Sequence, residues 1–257
     1  MSQIKVDTSK CVGCGLCCKE CMCCVLKLES GKVYVDPENA EKCMACAHCV
    51  SLCPHQALSF NNQPVVPLPK SHETVEDALH TRRSVRNFKG ALTEEQLKEL
   101  FAITSFCPSA CNLRPVKLAV INRPKMTELI SVLAKQVAES NDPQIPSFFK
   151  GACKLQEKFD VIGRGAPHMI VAYSDGGDEW SHDDGCIMLT QIEMYAVSKG
   201  YGTYWCGFMK GLLTPPGAMD LLGLKGKKCI ECLGLGIPDT HYVNMIQREQ
   251  TEVTYIN

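Results

Sequence analysis

Cysteine spacing is the feature of this sequence with the clearest chemical meaning. The pattern Cys-x-x-Cys-x-x-Cys-x-x-x-Cys occurs twice, and Pro54 follows the second run. The eight cysteines are Cys11, Cys14, Cys17 and Cys21 in the first run and Cys43, Cys46, Cys49 and Cys53 in the second. Soft thiolates at this spacing favour iron–sulfur clusters or zinc. Two identical runs favour two four-iron clusters over zinc, because a structural zinc site is complete with four ligands.

The same spacing predicts how the ligands are shared. Three closely spaced cysteines bind one cluster, and the fourth cysteine of each run reaches the other cluster. We therefore expect the first cluster to take Cys53 as its fourth ligand and the second to take Cys21. In this pattern, residues 1–62 resemble a bacterial-type ferredoxin with two [4Fe-4S] clusters. The other three cysteines of this region are interpreted as small apolar side chains packed around the clusters: Cys18, Cys23 and Cys24.

Composition excludes several classes of protein. Lys and Arg total 27 against 28 Asp and Glu in 257 residues, so no net charge favours nucleic acid or a membrane surface. No apolar run approaches the roughly 20 residues of a membrane-spanning helix, and residues 1–10 lack the apolar segment of an export signal. Of the 18 cysteines, subtracting the eight cluster ligands leaves ten. So many free thiols favour a reducing cytoplasm, and the cluster chemistry an anaerobic one, over a secreted disulfide scaffold.

Three prolines between Gln63 and Lys70 mark the expected domain boundary, because they favour an extended and stiff connection. We expect a cluster domain at 1–62, a linker at 63–72 and a second domain at 73–257. Helical and strand patterns are interleaved along the second domain. The predicted fold class is therefore α+β, in which a small ferredoxin-like domain precedes a mixed β-sheet packed with helices.

Several elements of the second domain have clear local signals. Thr93 and Gln96 predict a capping box at the start of a helix. A long helix at 181–199 is apolar nearly all round, so it lies either at the centre of a large domain or against a partner subunit. The remaining expectations are helices at 74–81, from Pro124 and from Pro215, strands at 116–121, 168–173, 203–208 and 229–235, and a last extended segment at 252–256.

A cluster of arginines follows the first of these helices. Arg82, Arg83 and Arg86 surround Ser84, and guanidinium groups together with a hydroxyl match the oxygens of a phosphate. Taken alone, such a run is typical of a solvated surface. Three further segments follow it in order: Pro108 to Pro115, Gly165 to Pro167 and Gly200 to Phe208.

In this order the segments resemble the nitroreductase family of FMN-dependent flavoproteins over about 73–257. The resemblance implies that Arg82 and Ser84 bind the FMN phosphate, with Arg83 beside them. It implies that Arg86 approaches the N1 and C2-carbonyl side of the flavin, where a cation stabilises negative charge on the reduced ring. It also implies a homodimer with the flavin at the interface.

The resemblance nominates further FMN contacts. Pro108, Ser109 and Asn112 would come from the other subunit, and Arg248 would be a further phosphate contact. The residues along the isoalloxazine, with backbone donors near N5, would be Tyr204, Trp205, Cys206 and Gly207. The chain departs from the family pattern at 114–116, where it reads Arg-Pro-Val and the family usually reads Gln-Pro-Trp.

These features predict an oxidoreductase in which two clusters pass electrons to FMN and on to a small aromatic acceptor, such as a nitroaromatic or a quinone. Ferredoxin or NAD(P)H would be the donor, and no side chain is nominated as a catalytic acid. Two alternatives are a non-enzymatic electron carrier and an iron–sulfur redox sensor. The arginine cluster favours the enzyme, since neither alternative requires a flavin pocket. His182, Asp183 and Asp184 are interpreted as charges at a helix start rather than metal ligands.

Overall fold

The computed structural model describes residues 4–68, 74–176, 179–246 and 248–256. The chain divides into two compact units. Unit 1 comprises Met1–Ser71 together with His241–Asn257, and unit 2 comprises His72–Thr240. The sequence assigns everything after the linker to the second domain, whereas the structure groups the C-terminal segment with unit 1.

Unit 1 is built from short helices and two antiparallel strand pairs. Its elements are strand β1 (Ile4–Val6), helix α1 (Leu16–Glu20), strands β2 (Leu26–Glu29) and β3 (Lys32–Val35), a 3-10 helix (Ala40–Lys42), helix α2 (His48–Leu52) and strand β4 (Leu58–Phe60). Strand β1 pairs with β4, and β2 pairs with β3. At the hairpin between β2 and β3, Ser30 and Gly31 have φ of 50° and 74°, and this double left-handed turn matches the twist of the strands.

The C-terminal segment is fastened to α2 by backbone and side-chain hydrogen bonds. The N–H groups of Val243 and Asn244 both donate to the Ser51 carbonyl, at 2.9 and 3.1 Å. The Asn244 amide, only 2% exposed, donates to the carbonyls of Val50 at 3.1 Å and Cys53 at 2.8 Å. A buried amide that satisfies two carbonyls holds the backbone next to the fourth cysteine of the second run.

Unit 2 combines six helices, four of them with at least nine residues, and five strands among its described residues. In chain order they are helix α3 (Val75–Thr81), strand β5 (Phe88–Gly90), helix α4 (Glu94–Ala102), 3-10 helices (Ile103–Phe106 and Ala110–Asn112), strand β6 (Lys117–Asn122), helices α5 (Arg123–Glu139) and α6 (Ser147–Leu155), strand β7 (His168–Ser174), helix α7 (Ser181–Ser198), strand β8 (Gly202–Trp205), helix α8 (Gly207–Leu213), a 3-10 helix (Ala218–Leu222) and strand β9 (Lys228–Pro238).

Strand β9 is the central strand of the sheet. The order is β5-β9-β7-β6, and β8 pairs with β9 as well. All of these strand pairs are antiparallel, and the parallel contribution expected of a mixed sheet is an isolated bridge between Ser84 and Thr203. The long β9 therefore fixes the positions of three other strands.

Helices cover both faces of this sheet. Along β7, Met169 and Val171 pack with residues of α5 and α8, while Ile170 and Ala172 pack with residues of α7. This alternation is the period of two expected for a strand that is buried on both sides. The described residues contain no helix with both the length and the apolar composition needed to cross a bilayer.

Local signals of capping and periodicity are confirmed. Thr93 accepts a hydrogen bond from the Gln96 N–H at 3.2 Å, and the Gln96 side chain accepts one from the Thr93 N–H at 2.8 Å. The expected long helix is α7, but it is not buried all round, because Ile187 is 42% exposed.

Two expectations are wrong. The strand predicted at 203–208 ends at Trp205, and α8 begins at Gly207. The helix predicted from Pro215 is a 3-10 helix at Ala218–Leu222. The described residues after Thr251 form neither strand nor helix, and the extended segment expected at 252–256 stays a prediction.

Gly234 of β9 makes room for the ring of Tyr204. A Cβ at position 234 would lie 2.1 Å from Cε1 of that ring. We expect Gly234→Ala to lower the free energy of unfolding by about 1–3 kcal/mol, because the displaced ring strains a packed core. Chemical denaturation of the full chain measures this change. Gly151→Ala is the control, since nothing lies within 4 Å of a Cβ there, and alanine in this helix should be neutral or stabilise by about 0.5–1 kcal/mol. Equal stability of parent and Gly234→Ala would contradict the close approach.

Candidate functional site

The arginine segment between α3 and β5 runs beside β8. The Val85 N–H donates to the Thr203 carbonyl at 2.8 Å, next to the bridge between Ser84 and Thr203. Arg83 is only 6% exposed, and its Nη1 donates to the carbonyls of His80 at 2.8 Å and Arg82 at 2.6 Å. Arg83 thus satisfies carbonyls at the end of α3, which is a structural role as well as a position in the predicted phosphate group.

Glu193 of α7 connects this segment to β8. Its carboxylate is 4% exposed and accepts hydrogen bonds from Thr203 Oγ1 at 3.1 Å and Trp205 Nε1 at 3.0 Å. Arg82 Nη1 lies 3.6 Å from Glu193 Oε1. The indole of Trp205 is therefore oriented by a buried carboxylate, and the same carboxylate places the guanidinium of Arg82.

Arg164 was not identified from the sequence, and it lies near Arg86 of the arginine segment. It stands between Gly163 and Gly165 with a left-handed φ of 50°. Burial, and then the neighbouring Arg86, lower the pKa of the Arg164 guanidinium. A guanidinium remains charged under ordinary conditions. Two cations that repel each other, one of them partly buried, favour an anionic ligand.

The loop that carries Arg164 is held from two sides. Asp160 accepts hydrogen bonds from the N–H groups of Gly163 at 2.9 Å and Gly165 at 2.7 Å. The Tyr204 hydroxyl donates to the carbonyl of Gly163 at 2.8 Å. Burial raises the pKa of Tyr204 well above its usual value and that of Cys206 to about 11. Tyr204 and Cys206 are both 3% exposed, so they support the loop from the core. Of the four predicted flavin-lining residues, only Trp205 and Gly207 are not buried.

The segment predicted to come from the other subunit forms an exposed, irregular turn. Ser109 Oγ accepts a hydrogen bond from the Arg114 N–H at 2.9 Å, and the Ala110 N–H donates to Asp184 at 2.9 Å. Cys111, Asn112 and Arg114 have φ of 49°, 53° and 52°. Left-handed backbone at three non-glycine residues is costly and is found mostly where function requires it. Pro108 and Asn112 are exposed.

The thiols of the two cysteine runs lie near one another in unit 1. Burial raises the pKa of Cys17 to about 12, and further contributions come from the thiols of Cys18, Cys53 and Cys14. The pKa of Cys49 is also raised, first by burial and then by the thiols of Cys46, Cys17 and Cys21. Cys53 therefore lies near Cys17 of the first run and Cys21 near Cys49 of the second. Cysteines of both runs belong to one packed cluster of side chains.

The two cysteine runs have the same local backbone. Helices α1 and α2 begin after the left-handed residues Gly15, with φ of 73°, and Ala47, with φ of 55°. The fourth cysteine of each run accepts a hydrogen bond from the N–H four residues later, at 3.3 Å in both cases: Val25 to Cys21 and Ala57 to Cys53. Such donors stabilise a thiolate.

The predicted phosphate contact Arg248 belongs to unit 1 and is exposed. The arginines of the segment between α3 and β5 belong to unit 2.

Cys23 is an additional thiol near the two cysteine runs. Burial and the thiols of Cys21, Cys46 and Cys43 raise its pKa, so it lies near cysteines of both runs.

Several solved nitroreductases are similar in structure to this chain. A nitroreductase with bound FMN from Bacteroides fragilis NCTC 9343 is 16% identical with a TM-score of 0.58, covering 71% of this chain and 98% of its own. One with bound FMN from Desulfitobacterium hafniense DCB-2 is 20% identical with a TM-score of 0.57 and the same coverage. The FMN-dependent nitroreductase NfnB from Mycobacterium smegmatis, in complex with NADPH, is 17% identical with a TM-score of 0.53, covering 71% and 97%.

These identities are low, so the structural likeness shows the fold of unit 2. A search of curated proteins finds no match. A family model described as the nitroreductase family matches residues 79–237. Because that match spans more than half of the 257 residues, this protein belongs to the nitroreductase family and is an oxidoreductase of the nitroreductase type.

Proposed function

We propose that this protein is an FMN-dependent oxidoreductase that receives electrons through two [4Fe-4S] clusters and reduces a small aromatic acceptor, such as a nitroaromatic or a quinone. The observation that carries the proposal is the pair of four-cysteine runs in unit 1, each with a fourth cysteine that accepts a backbone N–H, on a chain that belongs to the nitroreductase family. Ferredoxin or NAD(P)H is the proposed donor.

The residues of unit 2 fit FMN. Arg86 and Arg164 offer two neighbouring cations, and Arg82 and Ser84 lie on the same pinned segment, so an anionic ligand gains charge-assisted hydrogen bonds there. Gly207 has nothing within 4 Å of a Cβ, which leaves its backbone open to a flat ring. When bound, FMN supplies hydride and single-electron transfer. The role of this chain is to hold the ring and to stabilise negative charge on it with Arg86.

Proton transfer does not depend on Tyr204 or Cys206. Burial raises the pKa of both groups, and each donates its proton to a carbonyl of the 160–166 loop: Tyr204 at 2.8 Å to Gly163, and Cys206 at 3.4 Å to Ile162. They therefore act as positioning residues. No other side chain of the site is assigned as an acid, in keeping with proton delivery by water.

The thiols of unit 1 fit two clusters. Each proposed set has four sulfur donors: Cys11, Cys14, Cys17 and Cys53 in the first, and Cys43, Cys46, Cys49 and Cys21 in the second. The fourth cysteine of each run already accepts a backbone N–H. Hydrogen bonds to sulfur are one of the means by which proteins set cluster potentials. When bound, the clusters supply one-electron transfer.

A homodimer with FMN at the interface is part of the proposal. Phe106 and Leu113, which flank the predicted flavin turn, are 82% and 68% exposed, and Ile187 of α7 is 42% exposed. Large exposed apolar side chains near one another are typical of an interface. An obligate interface buries upwards of about 2,000 Å² in total.

We expect the protein to sediment as a dimer, and Leu113→Asp to shift it towards monomer and to release FMN, because a carboxylate would be desolvated at the interface. Sedimentation velocity and flavin absorbance measure both effects in one experiment. A monomer that keeps its flavin would remove the dimer from the proposal.

Arg164→Gln should weaken FMN retention by about tenfold to a hundredfold, the equivalent of losing one charge-assisted hydrogen bond of about 1.5–3 kcal/mol. Iron content should be unchanged. The matched control is Lys98→Gln, which removes the same charge from an exposed ion pair on α4. Equal FMN affinity in parent, Arg164→Gln and Lys98→Gln would show that Arg164 does not contact the flavin.

Cys14→Ala tests the electron path. It should reduce the iron content, to about half if the first cluster is lost, and abolish flavin reduction by a one-electron protein donor, while a chemical reductant still bleaches the flavin. Cys24→Ala is the control, because Cys24 is exposed and lies outside both proposed sets. Unchanged reduction by the protein donor in Cys14→Ala would favour clusters with a structural or sensory role.

A further inference from the structure

Three potential metal ligands converge on α7 and β9 of unit 2. His182 and Cys186 are four residues apart on α7, so they lie one turn apart on the same side of the helix. Glu231 lies on β9, next to Ile230. In the sequence, His182 stands with Asp183 and Asp184 at a helix start, which favours a role as a terminal charge. Cys186 and Glu231 carry no metal-site signal of their own, and the fold brings them to His182.

A glycine permits this convergence. A Cβ at Gly185 would lie 2.6 Å from Cγ2 of Ile230, so α7 sits directly on β9 at this point. His182 and Cys186 stand before and after Gly185 in the helix, and Glu231 follows Ile230 in the strand. The close approach of the two elements therefore brings these three side chains together. The three ligands are therefore held by two rigid elements, which is the usual way to build a precise site.

The distances between donor atoms are close to those of a tetrahedral metal centre. His182 Nε2 lies 4.0 Å from Cys186 Sγ and 4.0 Å from Glu231 Oε1. One donor atom from each residue lies within 4.8 Å of the others. Bonds of about 2.3 Å to sulfur and about 2.0–2.2 Å to nitrogen or oxygen require separations of roughly 3.3–3.7 Å. A small rotation of the half-exposed His182 closes the difference.

We propose that His182, Cys186 and Glu231 bind one divalent cation of the zinc type, with the fourth position open to water. A thiolate, an imidazole and a carboxylate form a mixed donor set that suits Zn²⁺, whereas Mg²⁺ and Ca²⁺ prefer oxygen ligands alone. The single sulfur distinguishes this site from the thiol groups of unit 1.

The ammonium of Lys210 on α8 would compete with the proposed metal for Glu231. This ammonium forms an ion pair with Glu231, the carboxylate that the proposed metal would use. Asp183, whose carboxylate lies 3.6 Å from His182 Nδ1, adds negative charge beside the site. A bound ion of charge two would displace the ammonium, and removal of Lys210 should therefore tighten metal binding.

The experiment uses the full chain with its iron and flavin, equilibrated with Zn²⁺ without oxygen and then freed of unbound metal. Elemental mass spectrometry counts zinc and iron together, and zinc-edge X-ray absorption reports the ligands selectively. We expect about one zinc per chain with a single sulfur at about 2.3 Å. His182→Ala and Cys186→Ser should lose this zinc, while the control His80→Ala, which changes an exposed histidine on α3, should keep it.

Lys210→Gln should change zinc affinity in the opposite direction. An increase cannot result from loss of folding, so this variant complements the other two. It should bind zinc more tightly than the parent. Equal zinc content in parent, His182→Ala and Cys186→Ser would overturn the proposal. So would a spectrum with three or four sulfurs, accompanied by loss of iron, because the zinc would then occupy the thiol groups of unit 1. Zinc affinity that is unchanged or lower in Lys210→Gln would contradict coordination by Glu231.

Discussion

The ring of Tyr204 lies across β9 at Gly234, and the shape of the proposed flavin site depends on this contact. Any larger residue at position 234 would push the ring away, since a Cβ would already lie 2.1 Å from it. From this position the hydroxyl reaches the carbonyl of Gly163, while Asp160 holds the same loop through its N–H groups. The guanidinium of Arg164 is thus placed by the strand and by the partly buried carboxylate of Asp160. Rigid supports of this kind fix a binding group more accurately than a loop can by itself.

The electrostatics of the site are uneven. Arg82 has the buried carboxylate of Glu193 close by, whereas burial and then the neighbouring Arg86 lower the pKa of the Arg164 guanidinium. Two neighbouring cations raise the free energy of the protein without ligand. An anion that binds between them removes that repulsion, and this relief contributes to the free energy of binding. Binding would also stabilise unit 2 against unfolding, since only the folded state places the two guanidinium groups together.

Much of the fold was predictable because its signals are local. The capping box of Thr93 and Gln96 is decided by residues three positions apart, and it is confirmed. Arg164 carried no such signal, because its role comes from a left-handed backbone and from partners on other elements. The same holds for Asp184: its place at a helix start suggested a dipole effect, but its carboxylate also accepts the N–H of Ala110.

The spacing of Cys229 and Cys232 in the sequence does not show how close their sulfurs lie. Two cysteines three apart point to opposite faces of a regular strand, yet their sulfurs are 3.7 Å apart. A register shift opposite Ala172 and Tyr173 explains this, because it lets β9 carry an additional residue, Ile230, between Cys229 and Glu231. Burial raises the pKa of Cys232 well above its usual value, in keeping with an inert thiol. Only the pairing of β9 with β7 reveals the bulge.

The hydrogen bonds from Asn244 to Val50 and Cys53 have a consequence for synthesis. The residues that complete unit 1 are made after the whole of unit 2 has been translated. Domains generally fold in the order in which they leave the ribosome, but here the first unit is completed only after the second. Its thiols therefore stay without this support while unit 2 is being made. Insertion of iron and sulfur would be best timed after the segment that contains Asn244 has bound to α2.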